Sequence, residues 1–228
     1  MADRPRSRRG QGEQLRADVL AAVNRLLDEW GSHEKLTMRA VAKEVGVAAP
    51  SIYLHFADKT ELVWAALADK YEQLAHQMRV ADESVAAGDA RGRLLAQVHA
   101  YCRFAVESPG HYRLMYEVRQ PELELERAGR HPARAVSSRL RAAVSRCFEA
   151  GFSLSLPPRQ AAHTLWSGLH GLVSLQLSFF VPAAPQMLEG MAAGLVDALV
   201  AREPVDEPSC PAETDVERLL ATTIVDDA

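Results

Sequence analysis

The sequence predicts an all-α protein of about nine helices, with a small N-terminal helix-turn-helix unit followed by a larger helical unit. Three observations carry that prediction. Apolar residues recur at helical spacing along most of the chain, and nowhere do Val, Ile, Thr or aromatic residues alternate with polar ones as a strand requires. Two very short helical segments joined by a glycine turn stand near the N-terminus. The chain has 228 residues, 48% of them apolar, which is enough for a sizeable core.

The elements follow in order. Residues 1–12 read as a flexible basic arm. Leu15, Val19, Ala22, Val23, Leu26, Leu27 and Trp30 then form one apolar stripe, so a first helix is expected from Glu13 to Trp30, stopped by Gly31. Thr37 is placed to cap a second helix, Met38 to Val45, which Gly46 ends. A third helix starts near Ala49, with Pro50 in its first turn where no N–H is needed, and runs to about Phe56. Asp58 caps a long fourth helix from Lys59 to about Val80, with Glu61 in its first turn, where the dipole favours an acid.

Beyond Gly88, residues Leu94, Leu95, Val98, Tyr101, Cys102, Ala105 and Val106 line a fifth helix, broken by Ser108-Pro109-Gly110. One or two turns of a sixth follow at 111–118. Pro132 opens a seventh with Val136, Leu140, Val144, Cys147 and Phe148 on one face. The eighth is expected from Pro158 to about Phe180 and the ninth from about Pro185 to Arg202. These divide into a helix-turn-helix unit at 13–60, a helical unit at 61–202 and an acidic tail at 203–228. That tail holds three prolines and no aromatics and reads as disordered.

Charge is polarised. Residues 1–16 hold five arginines against Asp3 and Glu13, a net +3, whereas residues 203–228 hold eight acids against Arg218, a net −7. Positive charge at one end is compatible with nucleic-acid contact, although charged termini are common as plain solvated tails. No apolar run is long enough for a membrane span, and no signal-peptide pattern follows the N-terminal arginines. Three scattered cysteines fit a reducing, cytoplasmic setting.

The short helices invite a chemical reading. In a helix-turn-helix the later helix enters the major groove with its N-terminal residues toward base edges. Here Val41, Ala42 and Val45 can pack on Ile52 and Phe56, leaving the outer face free. Ala48, Ala49 and Pro50 supply small apolar surface for a thymine methyl. Ser51, Tyr53, His55 and Lys59 carry donors for phosphate oxygens, and Thr37 opens a helix whose first N–H groups point the same way. Arg39 has the fork that grips guanine O6 and N7. Spacing alone leaves open a pair of short helices that reads no DNA.

The stretch "LTMRAVAKEVGVAAPSIYLHFADKTELVWAAL", residues 36–67, resembles the DNA-binding segment of the TetR (tetracycline repressor) family of bacterial regulators. The resemblance rests on Thr-x-x-x-Val-Ala, Gly-Val, Ile-Tyr-x-His-Phe and Lys-x-Glu-Leu. It implies phosphate contacts from Tyr53, His55 and Lys59, with Thr37 and Ser51, and base-facing positions for Arg39, Ala49 and Pro50. Leu54 departs from the larger aromatic or polar residue often found there, and Ala48 and Ala49 replace polar residues. Direct base reading is thereby reduced in favour of Arg39 and DNA shape.

The resemblance also implies that the larger unit pairs two chains and binds a small-molecule effector, so that a homodimer grips a palindromic operator on double-stranded DNA. Ser167, Gly171, Ser174 and Ser178 form a small-residue stripe beside Leu165, Leu169, Leu172 and Phe179. Gly190, Gly194 and Ala198 lie beside Met187, Met191 and Leu195. Small residues permit close helix approach, so an intermolecular four-helix bundle is expected. Both helices lying inside a monomer is the alternative. "Trp166-Ser-Gly-Leu-His170-Gly171" is similar to the signature of a TetR subgroup named for its Trp, His and Gly.

Tyr101, Cys102, Tyr112, Met115, Tyr116, Phe148, Trp166 and His170 are the candidates to surround an effector cavity, each equally placed to be ordinary core. Eight histidines invite a metal reading, but neither His99 with Cys102 nor His163 with His170 makes a recognised ligand set. With no phosphate loop and no nucleophile elbow, neither a cofactor nor an enzymatic activity is expected.

Overall fold

A computed structural model describes residues 9–30, 32–118, 129–178, 185–212 and 215–216. Among these it has nine α-helices: α1 (Arg9–Trp30), α2 (Met38–Val45), α3 (Ala49–Tyr53), α4 (Lys59–Glu83), α5 (Ala90–Glu107), α6 (Pro109–Tyr116), α7 (Arg134–Glu149), α8 (Pro158–Ser178) and α9 (Pro185–Leu199). The β-pairing among the described residues is a single bridge, Leu154 to Val200.

Local chemistry explains the boundaries. Thr37 sits in extended backbone and its hydroxyl oxygen accepts from the Ala40 N–H at 3.0 Å, capping α2. Gly46 ends α2 at φ 80°, and its N–H and that of Val47 both reach the Ala42 carbonyl at 2.9 Å. Asp58 accepts from the Glu61 N–H, and the Glu61 carboxylate accepts in turn from the Ala57 N–H, both at 2.8 Å. Asp89 caps α5 through the Gly92 N–H at 2.7 Å.

Several boundaries differ from expectation. α1 begins at Arg9, so residues 9–12 of the expected basic arm are helical; Gly10 and Gly12 weaken a helix without forbidding it. α3 stops at Tyr53 rather than Phe56, although Phe56 N–H still bonds the Ile52 carbonyl at 3.0 Å. α6 starts at Pro109, which opens a helix instead of only breaking one. Residues 203–212, expected to be disordered, form no helix and are tied down. Val205 N–H bonds Gly151 O at 2.8 Å, Ser209 O accepts from Leu154 N–H at 2.8 Å, and Ser209 N–H bonds Ser153 Oγ at 3.1 Å. Low hydrophobicity did not prevent this, because the anchors are hydrogen bonds between backbone groups and to the Ser153 hydroxyl. Gly31, Phe179 and the rest of the tail lie outside the described residues, apart from Asp215 and Val216.

The chain divides into two compact units, residues 1–69 with 113–122, and residues 70–112 with 123–228. In the first, Val19, Ala22, Val23 and Leu27 of α1, Val41 and Ala42 of α2, and Ile52 and Phe56 make a buried core. In the second, α5 packs against α7, α8 and α9, α7 against α8, and α8 against α9. Their contact faces bury Val98, Phe104, Leu140, Val144, Leu165, Leu169, Val173 and Val196.

Candidate nucleic-acid interface and effector site

The first unit turns its packing inward and its donors outward. Ile52 and Phe56 are buried, whereas Tyr53 is 56% exposed and Leu54 84% exposed. Arg39, Thr37 and Pro50 are exposed, and Ser51, Ala49, His55 and Lys59 are half-buried. The Thr37 oxygen is used as the cap, which leaves its hydroxyl hydrogen to donate outward. Lys59 Nζ donates to the Glu34 carbonyl at 3.3 Å. Burial holds its ammonium below the usual lysine range, while Glu34 pulls the other way. Phe56 is clamped from outside by Arg16, whose guanidinium lies 5.3 Å from the ring centroid. The predicted contact residues thus lie on one short stretch, with α3 presented over a buried Ile52–Phe56 floor.

In the second unit, three of the predicted effector residues meet in a hydrogen-bonded chain. Tyr101 and Tyr112 hydroxyls are 3.0 Å apart, and Tyr112 Oη lies 2.7 Å from His170 Nδ1. His170 Nε2 is 3.5 Å from Ser174 Oγ. The Tyr101 and Tyr112 rings meet edge-on at 89°, and Tyr112 stacks on His170 at 28°. Both tyrosines are fully buried, so their hydroxyls must be paired inside the protein. A proton on His170 Nε2 makes Nδ1 the acceptor of the Tyr112 hydroxyl, and Tyr112 in turn accepts from Tyr101. The opposite tautomer reverses every donor, so the row can present either polarity.

The other candidates do not join this row. Met115 is buried and Tyr116 half-buried, but both fall with the first compact unit. Cys102 lines a small cleft of about 150 Å³ with Val106, Leu188 and Glu189. Its thiol is pushed up to about 12 by burial and then by Glu189, so it stays protonated. Trp166 meets His163 edge-on at 6.3 Å. Phe148 is half-buried near the end of α7. Among the described residues, no group of three or more His, Cys, Asp or Glu could hold a metal, and no helix is long and apolar enough to cross a membrane.

On α8 and α9 the small residues divide. Ser167, Ser178, Gly190, Gly194 and Ala198 are exposed, and Gly171 and Ser174 half-buried. A Cβ added at Gly171, Gly190 or Gly194 would meet nothing within 4 Å. Beside them Leu175, Met187 and Met191 are 58, 52 and 50% exposed. The bulky stripe does not face outward as a set, because Leu165 and Leu169 are buried in the unit's own core. Close approach between α8 and α9 runs through Gly168, whose added Cβ would stand 2.8 Å from Leu195 Cδ1. Gly168 lies outside the small-residue stripe read from the sequence, although it stands inside the Trp166–Gly171 motif. Ser174, expected on the pairing face, also lies one turn beyond His170, with its Oγ 3.5 Å from His170 Nε2.

Comparison with known proteins agrees with this arrangement. A family model described as bacterial regulatory proteins, tetR family, matches residues 20–66, and one described as tetracyclin repressor-like, C-terminal domain, matches residues 94–199. Neither description names the Trp-His-Gly subgroup. An HTH-type transcriptional regulator of Mycobacterium tuberculosis is 28% identical over 109 residues, covering 48% of this chain and 46% of that relative. The match therefore spans about half the length of the curated relative. A TetR family transcription regulator from Marinobacter aquaeolei VT8 has a TM-score of 0.65 at 20% identity, covering 86% of this chain and 100% of that one. FadR from Bacillus subtilis, solved in complex with stearoyl-CoA, has a TM-score of 0.62 at 17% identity, covering 81% and 97%. At such identities the likeness is one of fold. With its capped helix-turn-helix inside the first match and its α5–α9 packing inside the second, the chain belongs to the TetR family of bacterial regulatory proteins.

Proposed function

We propose that the protein is a cytoplasmic, homodimeric transcription regulator that binds a palindromic operator and is released from it by a small-molecule effector. The observation that carries this is the first unit's surface: an exposed Tyr53, Leu54, Arg39 and Thr37 around a short proline-led helix, inside the matched family segment. Tyr53, His55, Lys59, Thr37 and Ser51 contact phosphates and set register. Arg39, Ala49 and Pro50 face bases, and Leu54 adds apolar surface for a thymine methyl.

Pairing follows from the outer faces of α8 and α9. Exposed Leu175, Met187 and Met191 lie among small residues, and a second copy covers them in a four-helix bundle. Two reading heads then reach successive major grooves, roughly 34–36 Å apart. The Tyr101–Tyr112–His170 row supplies the polar part of an otherwise apolar effector site within the second unit, with Trp166, Phe148 and Cys102 of the same unit as further candidates. An effector that favours the dimer with wrongly spaced heads weakens operator binding by its differential affinity.

The test is selection of bound DNA from a random pool with the purified chain. A palindrome with half-sites one helical turn apart supports the proposal. Enrichment of no symmetrical sequence, with a protein that sediments as a monomer, sinks it.

A further inference from the structure

We propose a second ligand site, for a phosphoryl group or similar small oxyanion, at the arginine cluster where α4, α5 and α7 meet around Asp82. Asp82 is 5% exposed and lies near the end of α4. Its carboxylate accepts from Arg93 of α5, from Gln97 Nε2 at 2.8 Å and from Arg146 Nη2 of α7 at 2.6 Å. Next to it Arg79 pairs with Glu83 at 3.4 Å. Both acids are therefore engaged, and one of them is shared between two guanidiniums.

Arg139 lies two turns before Arg146 on α7 and has no carboxylate of its own among the described residues. It feels Asp82 and Glu83 as attraction, and Arg79 and Arg146 as repulsion. Four guanidiniums face two carboxylates, which leaves two surplus positive charges in a partly buried place. Such a surplus persists at little cost only where an anion can balance it.

The hydrogen-bond inventory points the same way. The Nε atoms of Arg93, Arg139 and Arg146 are buried and have no hydrogen-bond partner. Clustered orphan donors are rare in folded proteins and call for a reason. These are spread over two helices, so a two-oxygen carboxylate cannot serve them as a tetrahedral oxyanion can. Gln97 Oε1 is also unpartnered, but it is an acceptor and an anion does not serve it. None of these residues belongs to the Tyr101–Tyr112–His170 row or to the DNA-reading unit. The site is distinct from both.

The experiment uses the full chain, with inorganic phosphate and pyrophosphate as probes and acetate and chloride at matched ionic strength as controls. Calorimetry and thermal melting should show saturable phosphate binding and a rise in melting temperature that acetate does not reproduce. Arg139→Gln should weaken phosphate binding at least about tenfold. In phosphate-free buffer it should melt no lower than the parent, because burial desolvates the Arg139 guanidinium, its attraction to Asp82 and Glu83 is set against repulsion from Arg79 and Arg146, and its Nε has no hydrogen-bond partner. Arg139→Lys keeps the charge without the fork and should bind with intermediate affinity. Phosphate binding that ignores Arg139→Gln marks the DNA-reading unit as the binding place and overturns the assignment. Absence of saturable binding, or acetate binding as tightly as phosphate, overturns it too.

Discussion

Replacing Gly46 isolates one physical term. The residue closes α2 at φ 80°, ψ 29°, and an added Cβ would meet nothing within 4 Å. Gly46→Ala therefore introduces no clash, and its whole effect is the backbone penalty of an L-residue in the left-handed region, about 1–2 kcal/mol. Both Gly46 and Val47 hydrogen bonds to Ala42 can persist, so no bond is lost. Asn tolerates that region better than Ala, and Gly46→Asn should cost visibly less. Urea melts, with hydrogen exchange of the α2 and α3 amides, measure both. A shift near 2–4 °C per kcal/mol is expected for a domain of this size. Operator affinity should change less than about threefold, because a unit that stays mostly folded binds as before. Equal stability of Gly46→Ala and parent, or Gly46→Asn costing as much as Gly46→Ala, would refute the reasoning. The contrasting site is Gly168, where the added Cβ at 2.8 Å from Leu195 makes Gly168→Ala a packing change instead.

Other expected outcomes follow from the same geometry. Lys59→Ala should weaken binding to all DNA alike and reduce the salt dependence by about one counterion, while Arg39→Ala should relax base preference; titrations against selected and scrambled sites separate the two. His131 is pushed down to about 4 by burial, and its Nδ1 accepts the Ala133 N–H at 3.1 Å, which requires that nitrogen to be unprotonated. The unfolded chain binds the proton near pH 6.5, so this contribution is whole above that pH. It is lost as pH falls toward 4, roughly 3 kcal/mol in all, visible as a urea midpoint that drops across that window and drops less in His131→Gln. Met191→Arg places a charge on the outer face of α9 and should yield monomers in sedimentation without loss of helicity. Tyr112→Phe removes the hydroxyl that links Tyr101 to His170, taking one hydrogen bond from each; thermal melting should fall by about 1–3 kcal/mol equivalent, and effector release should be altered while operator affinity is not.

Helix placement was legible in the sequence because its signals are local. Thr37, Gly46, Pro50 and Asp58 each act within four residues of themselves, through a cap, a left-handed turn, a preset φ or a dipole. The apolar stripe of α1 and the family motif around Tyr53 and His55 are also contiguous, so the family segment could be named from one line of letters. The association of Tyr101, Tyr112 and His170 was not legible: the hydroxyls and imidazole come from three helices, and the same residues fit ordinary core. Their neighbours Cys102 and Trp166 looked equivalent by spacing yet lie in other surroundings.

Sequence by itself determined the all-helical class, the order of the short helices and the family to which they belong, since periodicity, caps and a contiguous motif act over one or two turns. Tertiary structure alone decided which stripe of α8 is core, which glycine brings α8 to α9, and that Asp82 gathers arginines from helices 11 and 64 residues away along the chain. The reason is that burial and charge pairing depend on distance in space, which chain order does not encode for groups so far apart.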